Sequence, residues 1–459
     1  VVAEFPALAA ACQPLEKFVA ANTILVERGD GPALAWSCDP APARGRVIAF
    51  EEHQRFLSAV IEASRGPAVS EDARGPGVGQ PPRLVRRILF LRPSLFVIDD
   101  LVTGVPPRGT ARWRLDCRGA ANLVDGRLVI RTGDRQLACT TLWPAGAAMQ
   151  KAGQSKPSAA RFELVSQSQA GAKQVRWLHV FDLRQTGGGE AAAPAVLAEK
   201  AGCVELTIAT GEGTFRLSLP PPGDDAGRIS LQAADGTWRV PRRPLPAGVL
   251  PHGPEGVRMI ERWDRTYRDG GRPGWDTGLT AEGLKQVVEK GVVRPCRTVV
   301  LGCGSGTNAI YLAKKGFQVT AIDVAPTALS IAEAKAKKAG VRVRWLLADV
   351  LAVPELEPFE FIFDRGCYHN VRYVDATTFV ESVRRLSRPG TRMLVLSLNR
   401  DGPPGVREPQ MRADFSPLFD FEWLREAGIQ VGREGKVRRA AWSLMLRRKR
   451  DGGPQPKSG

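Results

Sequence analysis

The residues with the clearest chemical potential lie in Val299-Val-Leu-Gly302-Cys303-Gly304-Ser305-Gly306, an apolar run that passes directly into a glycine-rich turn. Glycines at this spacing let the backbone come close to a ligand where any Cβ would collide. The pattern is G-x-G-x-G; a dinucleotide site more often shows G-x-G-x-x-G, and here Asn308 stands where that third glycine would fall. Three acids follow at the ends of apolar runs: Asp323 after Val319-Thr-Ala-Ile, Asp349 after Ala348, and Asp364 after Phe361-Ile-Phe. A carboxylate at Asp323 can accept from both ribose hydroxyls of a nucleoside cofactor, and one at Asp349 can receive the exocyclic amine of adenine. Asp364 falls where the reacting group would be presented.

The elements needed to hold these residues are legible around them. Strands are expected at 298–301, 318–323, 342–348, 359–364 and 392–398, with helices at 308–315, 326–339 and 376–386. Gly316 and Gly340 suit helix C-termini and Pro326 a helix start. Alternating β and α of this kind implies a mostly parallel sheet covered on both faces, whose strand C-termini form the ligand rim. Residues 1–240 read differently, as short apolar runs alternating along strands at 86–91, 95–101, 112–117, 127–132, 136–142, 174–181, 204–209 and 214–219. Asp125-Gly126 and Asp235-Gly236 suit tight hairpin turns. The fold class is therefore multidomain: an N-terminal all-β sandwich over 1–240, a Pro-rich linker over 241–254, an α/β Rossmann-like domain over 255–450 and a disordered tail over 451–459. A Gly/Pro-rich stretch from Arg65 to Pro82 reads as a long loop within the β half.

Composition narrows the function classes. A chain of 459 residues with 43% hydrophobic and 25% charged residues can bury more than one core, and it has no apolar run long enough for a membrane helix. The net charge of +17 is spread along both halves, with one tight run at Arg447-Arg448-Lys449-Arg450 that reads as a solvated end. Eight dispersed cysteines without C-x-x-C argue against a zinc knuckle or a disulfide scaffold, and no metal site is expected. The chain opens Val1-Val2, so its N-terminus reads as truncated or processed; the expected location is the cytoplasm.

The C-terminal residues resemble class I S-adenosylmethionine-dependent methyltransferases, with the thiopurine S-methyltransferase and tellurite-resistance methyltransferase group the nearest likeness. Trp263-Asp-Arg-Thr-Tyr-Arg-Asp-Gly270 with Pro273-Gly-Trp275-Asp276-Thr-Gly278 is similar to that group's N-terminal capping segment. Asp364-Arg-Gly-Cys-Tyr-His369 is similar to its motif after the fourth strand, and Phe415 to Phe421 to its segment before the final strands. The resemblance covers about 190 residues. It implies S-adenosyl-L-methionine as cofactor, held by Gly302, Cys303, Gly304, Ser305, Gly306, Asp323, Val324, Asp349, Val350 and Asp364. Trp263, Trp275, Asp276, Cys367 and Tyr368 would border the acceptor, and Asp364, Arg365 and His369 are the catalytic candidates.

Each assignment has a plainer counterpart. His369 is either a proton acceptor or a hydrogen-bonded structural residue, and Arg365 either binds an anionic acceptor or pairs with a carboxylate. Trp263 and Trp275 either stack on adenine or close the core. A soft nucleophile such as a thiol or chalcogen oxyanion needs no strong base, which makes it the expected small-molecule acceptor. A nucleic-acid substrate is disfavoured, because enzymes that grip a flipped base amine place Asn or Asp before two prolines and an aromatic there, and this chain has Asp364-Arg-Gly-Cys.

In the other half, Asn22-Thr-Ile-Leu-Val26 and Arg86 to Asp100 resemble the C-terminal β-sandwich of heparinase II/III-like polysaccharide lyases, with Ala21 where many members carry His. The helical toroid of that family is missing, and His53 and His179 have no evident partner for lyase chemistry. The expectation is a non-catalytic module with possible polysaccharide contact. The rival functional reading is a glycan-binding or lyase-related sandwich carrying a degenerate methyltransferase domain.

Overall fold

In the computed structural model, described over residues 6–16, 19–28, 31–37, 45–63, 83–105, 110–156, 159–167, 174–186, 195–200, 203–221, 226–268, 273–432 and 435–450, the chain divides into two compact units, Val1–Leu245 and Pro246–Gly459. The loop expected at 65–82, residues 269–272 of the capping segment and the tail lie outside the described residues. Among the described residues no helix is long and apolar enough to cross a membrane.

The N-terminal unit is strand-rich; its described residues form three sheets, of five, eight and five strands. The eight-stranded sheet lies in the middle. On one of its faces Trp113 of the first sheet packs on His179, ring centroids 4.0 Å apart, and Trp177 Nε1 donates to Ser166 Oγ. On the other face Leu89, Val97, Leu178 and Val180 share a core with Leu206, Phe215, Leu217 and Leu231 of the third sheet. Among the described residues the β half expected as an all-β sandwich is thus built in three layers. A sheet covered on both sides needs strands that are buried throughout, as Arg83–Leu91 is beyond its first residue. Its two inward arginines are neutralised across the strand pair, Arg86 on Asp100 at 2.6 Å and Arg87 on Asp99 at 2.9 Å. The Asp125-Gly126 hairpin forms as expected, with both residues at positive φ.

The expected linker is partly strand. Trp238–Pro244 pairs with Arg228–Gln232 as the edge of the third sheet, and the units divide only after Leu245. Proline is tolerated there because an edge strand leaves one side of its backbone unpaired. Beyond it, Ala247 N–H donates to Leu347 O, and a helix begins at Gly253, within the segment read as linker.

The C-terminal unit comprises α1 (Gly253–Arg268), α2 (Glu282–Glu289), β1 (Arg297–Leu301), α3 (Thr307–Lys314), β2 (Gln318–Asp323), α4 (Pro326–Lys338), β3 (Arg344–Leu347), β4 (Phe359–Arg365), α5 (Tyr368–Leu386), β5 (Ser387–Leu398), α6 (Glu408–Phe415), β6 (Phe419–Val431) and β7 (Val437–Arg448). The sheet order is β3-β2-β1-β4-β5-β7-β6, parallel except for β7. Apolar clusters cover both faces, one under α5 and α6 and one under α2 and α3. The order reverses between β1 and β4, and ligands bind such sheets at the strand C-termini where the direction of crossover changes.

Candidate active site

Gly302, Gly304 and Gly306 all have positive φ, 57°, 53° and 80°, and each is glycine for its own steric reason as well. A Cβ on Gly302 would lie 2.6 Å from Cys367 Cβ, and one on Gly304 would lie 2.9 Å from Tyr267 Oη. One on Gly306 would meet Trp345 at 2.6 Å and Ala332 at 2.7 Å, so this glycine seats α3 on the sheet. Asn308, in place of a further glycine, turns its Oδ1 to the Ala281 amide at 2.9 Å and so ties α3 to the start of α2.

Asp323, at the end of β2, braces the turn: Oδ2 accepts from Gly304 N–H at 2.7 Å and Oδ1 from Ala325 N–H at 2.9 Å. A carboxylate has about four acceptor sites, so capacity remains for a ligand. Asp349 accepts from Leu351 N–H through Oδ1 at 2.9 Å, and its Oδ2 has no partner among the described residues. Burial raises the pKa of both acids. They converge with Asp364 on Cys367, whose thiol is pushed well above its ordinary pKa first by burial and then by the charges of Asp364, Asp323 and Asp349.

α1 closes this edge. Tyr267 is buried over Gly304 and accepts at Oη from Trp275 Nε1 at 3.1 Å, while Trp263 meets Trp275 edge-on with centroids 5.8 Å apart. Asp264 caps α4 from outside that helix, accepting from the Thr327 amide at 2.7 Å and its Oγ1 at 3.0 Å. The N-terminus of α4 needs it, because Ala325 has no side-chain oxygen to supply. Neither Tyr267 nor Asp264 was singled out by sequence, although their i, i+3 spacing with Ile260 one turn earlier marks one buried face of α1.

Several sequence candidates are placed elsewhere. Asp364 is wholly buried and both its oxygens accept from the Tyr368 amide, at 3.2 and 3.0 Å, because the turn at Gly366 folds the start of α5 back onto the strand end. It anchors that turn and offers no surface to a ligand. Tyr368 lies in the core, donating to Asp414 Oδ2 at 2.6 Å, and Val350 is likewise a core residue. Ser305 is buried and its Oγ accepts from Lys335 Nζ at 2.8 Å. His369 is buried, with Nδ1 accepting from the Leu398 amide at 3.2 Å; burial lowers its pKa to about 4, so the ring is neutral at pH 7. Asp276 accepts locally from Gly278 N–H at 3.3 Å. Arg365 pairs with no carboxylate among the described residues; it donates to Trp275 O at 3.2 Å and Gln430 O at 2.7 Å.

This arrangement has counterparts in known proteins. A family model described as a methyltransferase domain matches residues 299–390. A 2-heptyl-1-hydroxyquinolin-4(1H)-one methyltransferase of Mycobacteroides abscessus is 27% identical over 173 residues, covering 36% of this chain and 76% of that protein. A ubiquinone biosynthesis O-methyltransferase of Xylella fastidiosa is 31% identical over 171 residues, 33% of this chain and 68% of that protein. The chain belongs to the S-adenosylmethionine-dependent methyltransferases. Among solved structures, a 1,6-didemethyltoxoflavin-N1-methyltransferase of Burkholderia thailandensis with bound S-adenosylhomocysteine is 20% identical, covering 49% of this chain and 97% of that one, with a TM-score of 0.36.

The residues of the methyltransferase unit fit its cofactor. The turn at Gly302–Gly304 is partly exposed, and Asp323 and Asp349 keep unspent acceptor sites on adjacent strand ends. These sites suit the hydroxyl and amine donors of a nucleoside, and the surplus of carboxylates suits a sulfonium cation. Half-exposed Val324 lies between Asp323 and α4, where it can pack against such a nucleoside.

In the N-terminal unit, His179 is fully buried beside Trp113 and Phe181, and its pKa is lowered to about 3 by burial; His53 Nδ1 accepts from the Arg55 amide. His179 is thus sealed in the core of its unit.

Proposed function

We propose that the methyltransferase unit acts on a small-molecule acceptor that brings its own ionised nucleophile: a thiol, a chalcogen oxyanion or an acidic ring hydroxyl. One observation carries this reading. Both side chains that sequence offered as bases are committed to the fold, Asp364 beneath the Tyr368 amide with no exposed surface and His369 to the Leu398 amide. A nucleophile already ionised near neutral pH needs neither. The relatives' names agree with ring substrates, one being a 1-hydroxyquinolinone and another naming O-methylation in ubiquinone biosynthesis.

When bound, S-adenosylmethionine supplies an electrophilic methyl group on a good leaving group. The protein's task is then alignment and exclusion of water, which together can supply much of the rate. Gly302, Gly304, Asp323 and Asp349 would fix the nucleoside, Tyr267 and Trp275 would cover it, and Cys367 fills the space against Gly302.

The test is a pH–rate series with the full chain and S-adenosylmethionine across thiophenols and phenols of graded pKa, with selenite, tellurite and small amines alongside. The inflection in kcat/KM should track the pKa of each acceptor, and His369→Gln should shift none of the inflections. A fixed inflection shared by all acceptors, or preferential methylation of strongly basic amines, would overturn the reading.

A further inference from the structure

On the face of the sheet that carries α2, a cavity of about 180 Å³ opens between the first turn of α2, the ends of β4 and β5, and the facing stretches of β6 and β7. That volume is close to the ~150 Å³ of an engineered apolar cavity known to admit benzene. Its floor is apolar, with Leu396 and Ile429 both buried, and Gly283 leaves room because a Cβ there would approach Leu396 Cδ2 to 3.1 Å.

The polar lining is unbalanced. Arg365 reaches the cavity half-buried, and it donates to two backbone carbonyls, those of Trp275 and Gln430. Asp276 acts on it through space, without an ion pair among the described residues. At the rim Arg438 is matched by Glu282 at 3.2 Å, whereas Arg425 lies over the Trp423 ring, 4.9 Å from its centroid, with exposed Glu426 beside it. A guanidinium held by two carbonyls keeps its charge, and three of its five N–H donors remain for a carboxylate.

Arg365 also links the cavity lining to the transfer site. Arg365 precedes Gly366 and Cys367, and Cys367 packs on Gly302. Through Trp275, whose carbonyl it holds and whose indole bonds Tyr267 Oη, the same guanidinium secures the cover over Gly304.

We infer that this cavity receives an anionic, single-ring aromatic acceptor, a carboxylate or comparable oxyanion on the ring meeting Arg365 and the ring lying over Leu396 and Ile429. The inference rests on the proposed self-ionising small acceptor, and narrows it to acids of about one ring. Arg365 would then be a binding residue that also positions the aromatic cover.

Benzoate is the direct probe, titrated calorimetrically into the full chain loaded with S-adenosylhomocysteine. It should bind saturably, and benzyl alcohol, its neutral counterpart, at least tenfold more weakly. Arg365→Gln should weaken benzoate at least tenfold and Arg365→Lys should recover part of the loss. Ala427→Leu fills the cavity from β6 without altering the guanidinium, and should abolish binding while the S-adenosylhomocysteine Kd stays within twofold. If Arg365→Gln fails to fold, the Ala427→Leu and benzyl alcohol arms decide alone. Absent benzoate binding, equal binding of the two probes, or indifference to Ala427→Leu overturns the inference. Because the readout is binding, the two proposals fail separately. Benzoate captured as expected by an enzyme that methylates none of the acceptor panel refutes the self-ionising acceptor and leaves the cavity assigned. Turnover of phenols and thiols with cavity variants inert refutes the cavity alone.

Discussion

Replacing Asp364 by Asn should remove a pH dependence of stability that the wild type carries. The carboxylate has no exposed surface, and burial pushes its pKa from an ordinary 3.8 up to about 7 against the opposing pull of the Tyr368 and Cys367 amides. A rise of that size corresponds to roughly 4 kcal/mol. Because the folded pKa is the higher one, the folded chain retains a proton that the unfolded chain releases; the associated stability is complete below about pH 4 and is lost as pH rises through 7. The carboxamide introduced by Asp364→Asn would keep an oxygen for the Tyr368 amide and cannot ionise. From pH 5 to 8 the wild type should therefore lose about 3 kcal/mol relative to Asp364→Asn, or about 6–12 °C in the melting of a unit this size. His369 works in the opposite sense, since burial lowers its pKa from 6.5 to about 4 and its stability contribution, present above 6.5, is lost as pH falls through 4. The two slopes offset each other between about pH 4 and 6.5 in the wild type, and the histidine slope should emerge in the variant. Scanning calorimetry in half-unit steps from pH 4.5 to 8.5 measures this, with the relevant transition identified by its upward shift on adding S-adenosylhomocysteine. Parallel wild-type and variant curves from pH 5 to 8 would refute the reasoning. A hundredfold fall in kcat/KM, with loss of an inflection near pH 7, would return the role of base to Asp364.

Two further outcomes follow from the cofactor edge. Asp323→Ala removes the acceptor that braces Gly304 and Ala325 and would receive the ribose, and charge-assisted bonds of this kind contribute about 1.5–3 kcal/mol each. The affinity for S-adenosylhomocysteine should fall about a hundredfold or more by calorimetry, and an unchanged Kd would remove Asp323 from the site. Asp264→Ala takes the cap from α4 and should cost about 1–2 kcal/mol, read as a lower melting temperature of the C-terminal unit, whereas Asp264→Asn should restore most of it.

Much of the C-terminal unit was legible because its strands are buried on both faces and so read as unbroken apolar runs, each stopped by the glycine or acid that forms the rim. Even the helix expected from residue 376 is recovered: Asp375 is non-helical, and its carboxylate caps the Thr378 amide, so a second helix begins there within α5. The linker was misread because proline signals a break in the ladder only when both sides of a strand are paired, and Trp238–Pro244 is an edge. The third layer of the N-terminal unit was hidden by Arg86 and Arg87, which look solvent-facing until the cross-strand register sets them opposite Asp100 and Asp99. Asp364 misled for a related reason: a strand-end acid faces a ligand or caps the next helix according to how the following turn folds, and no pattern of residue types distinguishes the two.

A site that presents an electrophilic methyl group must avoid alkylating its own nucleophiles, and two cysteines lie against this one. Cys367 packs on Gly302, and Cys303 follows that glycine with its Sγ turned to Gly304 O at 3.6 Å. It is the thiolate that attacks, so the thiol is harmless while it keeps its proton. Burial raises both pKa values well above the ordinary range, and the neighbouring acids, Asp323 for Cys303 and Asp364, Asp323 and Asp349 for Cys367, raise them further. Burial does most of this, and Asp323 and Asp349, the carboxylates that suit a cationic cofactor, add to it. An acceptor whose ring carboxylate is held by Arg365 would bring its thiol or acidic hydroxyl near a cation, which favours the ionised form. Asp323 and Asp349 would thus attract the donor and help to protect the cysteines, while Arg365, at the C-terminal end of β4 on the same rim, would hold the acceptor's anionic group.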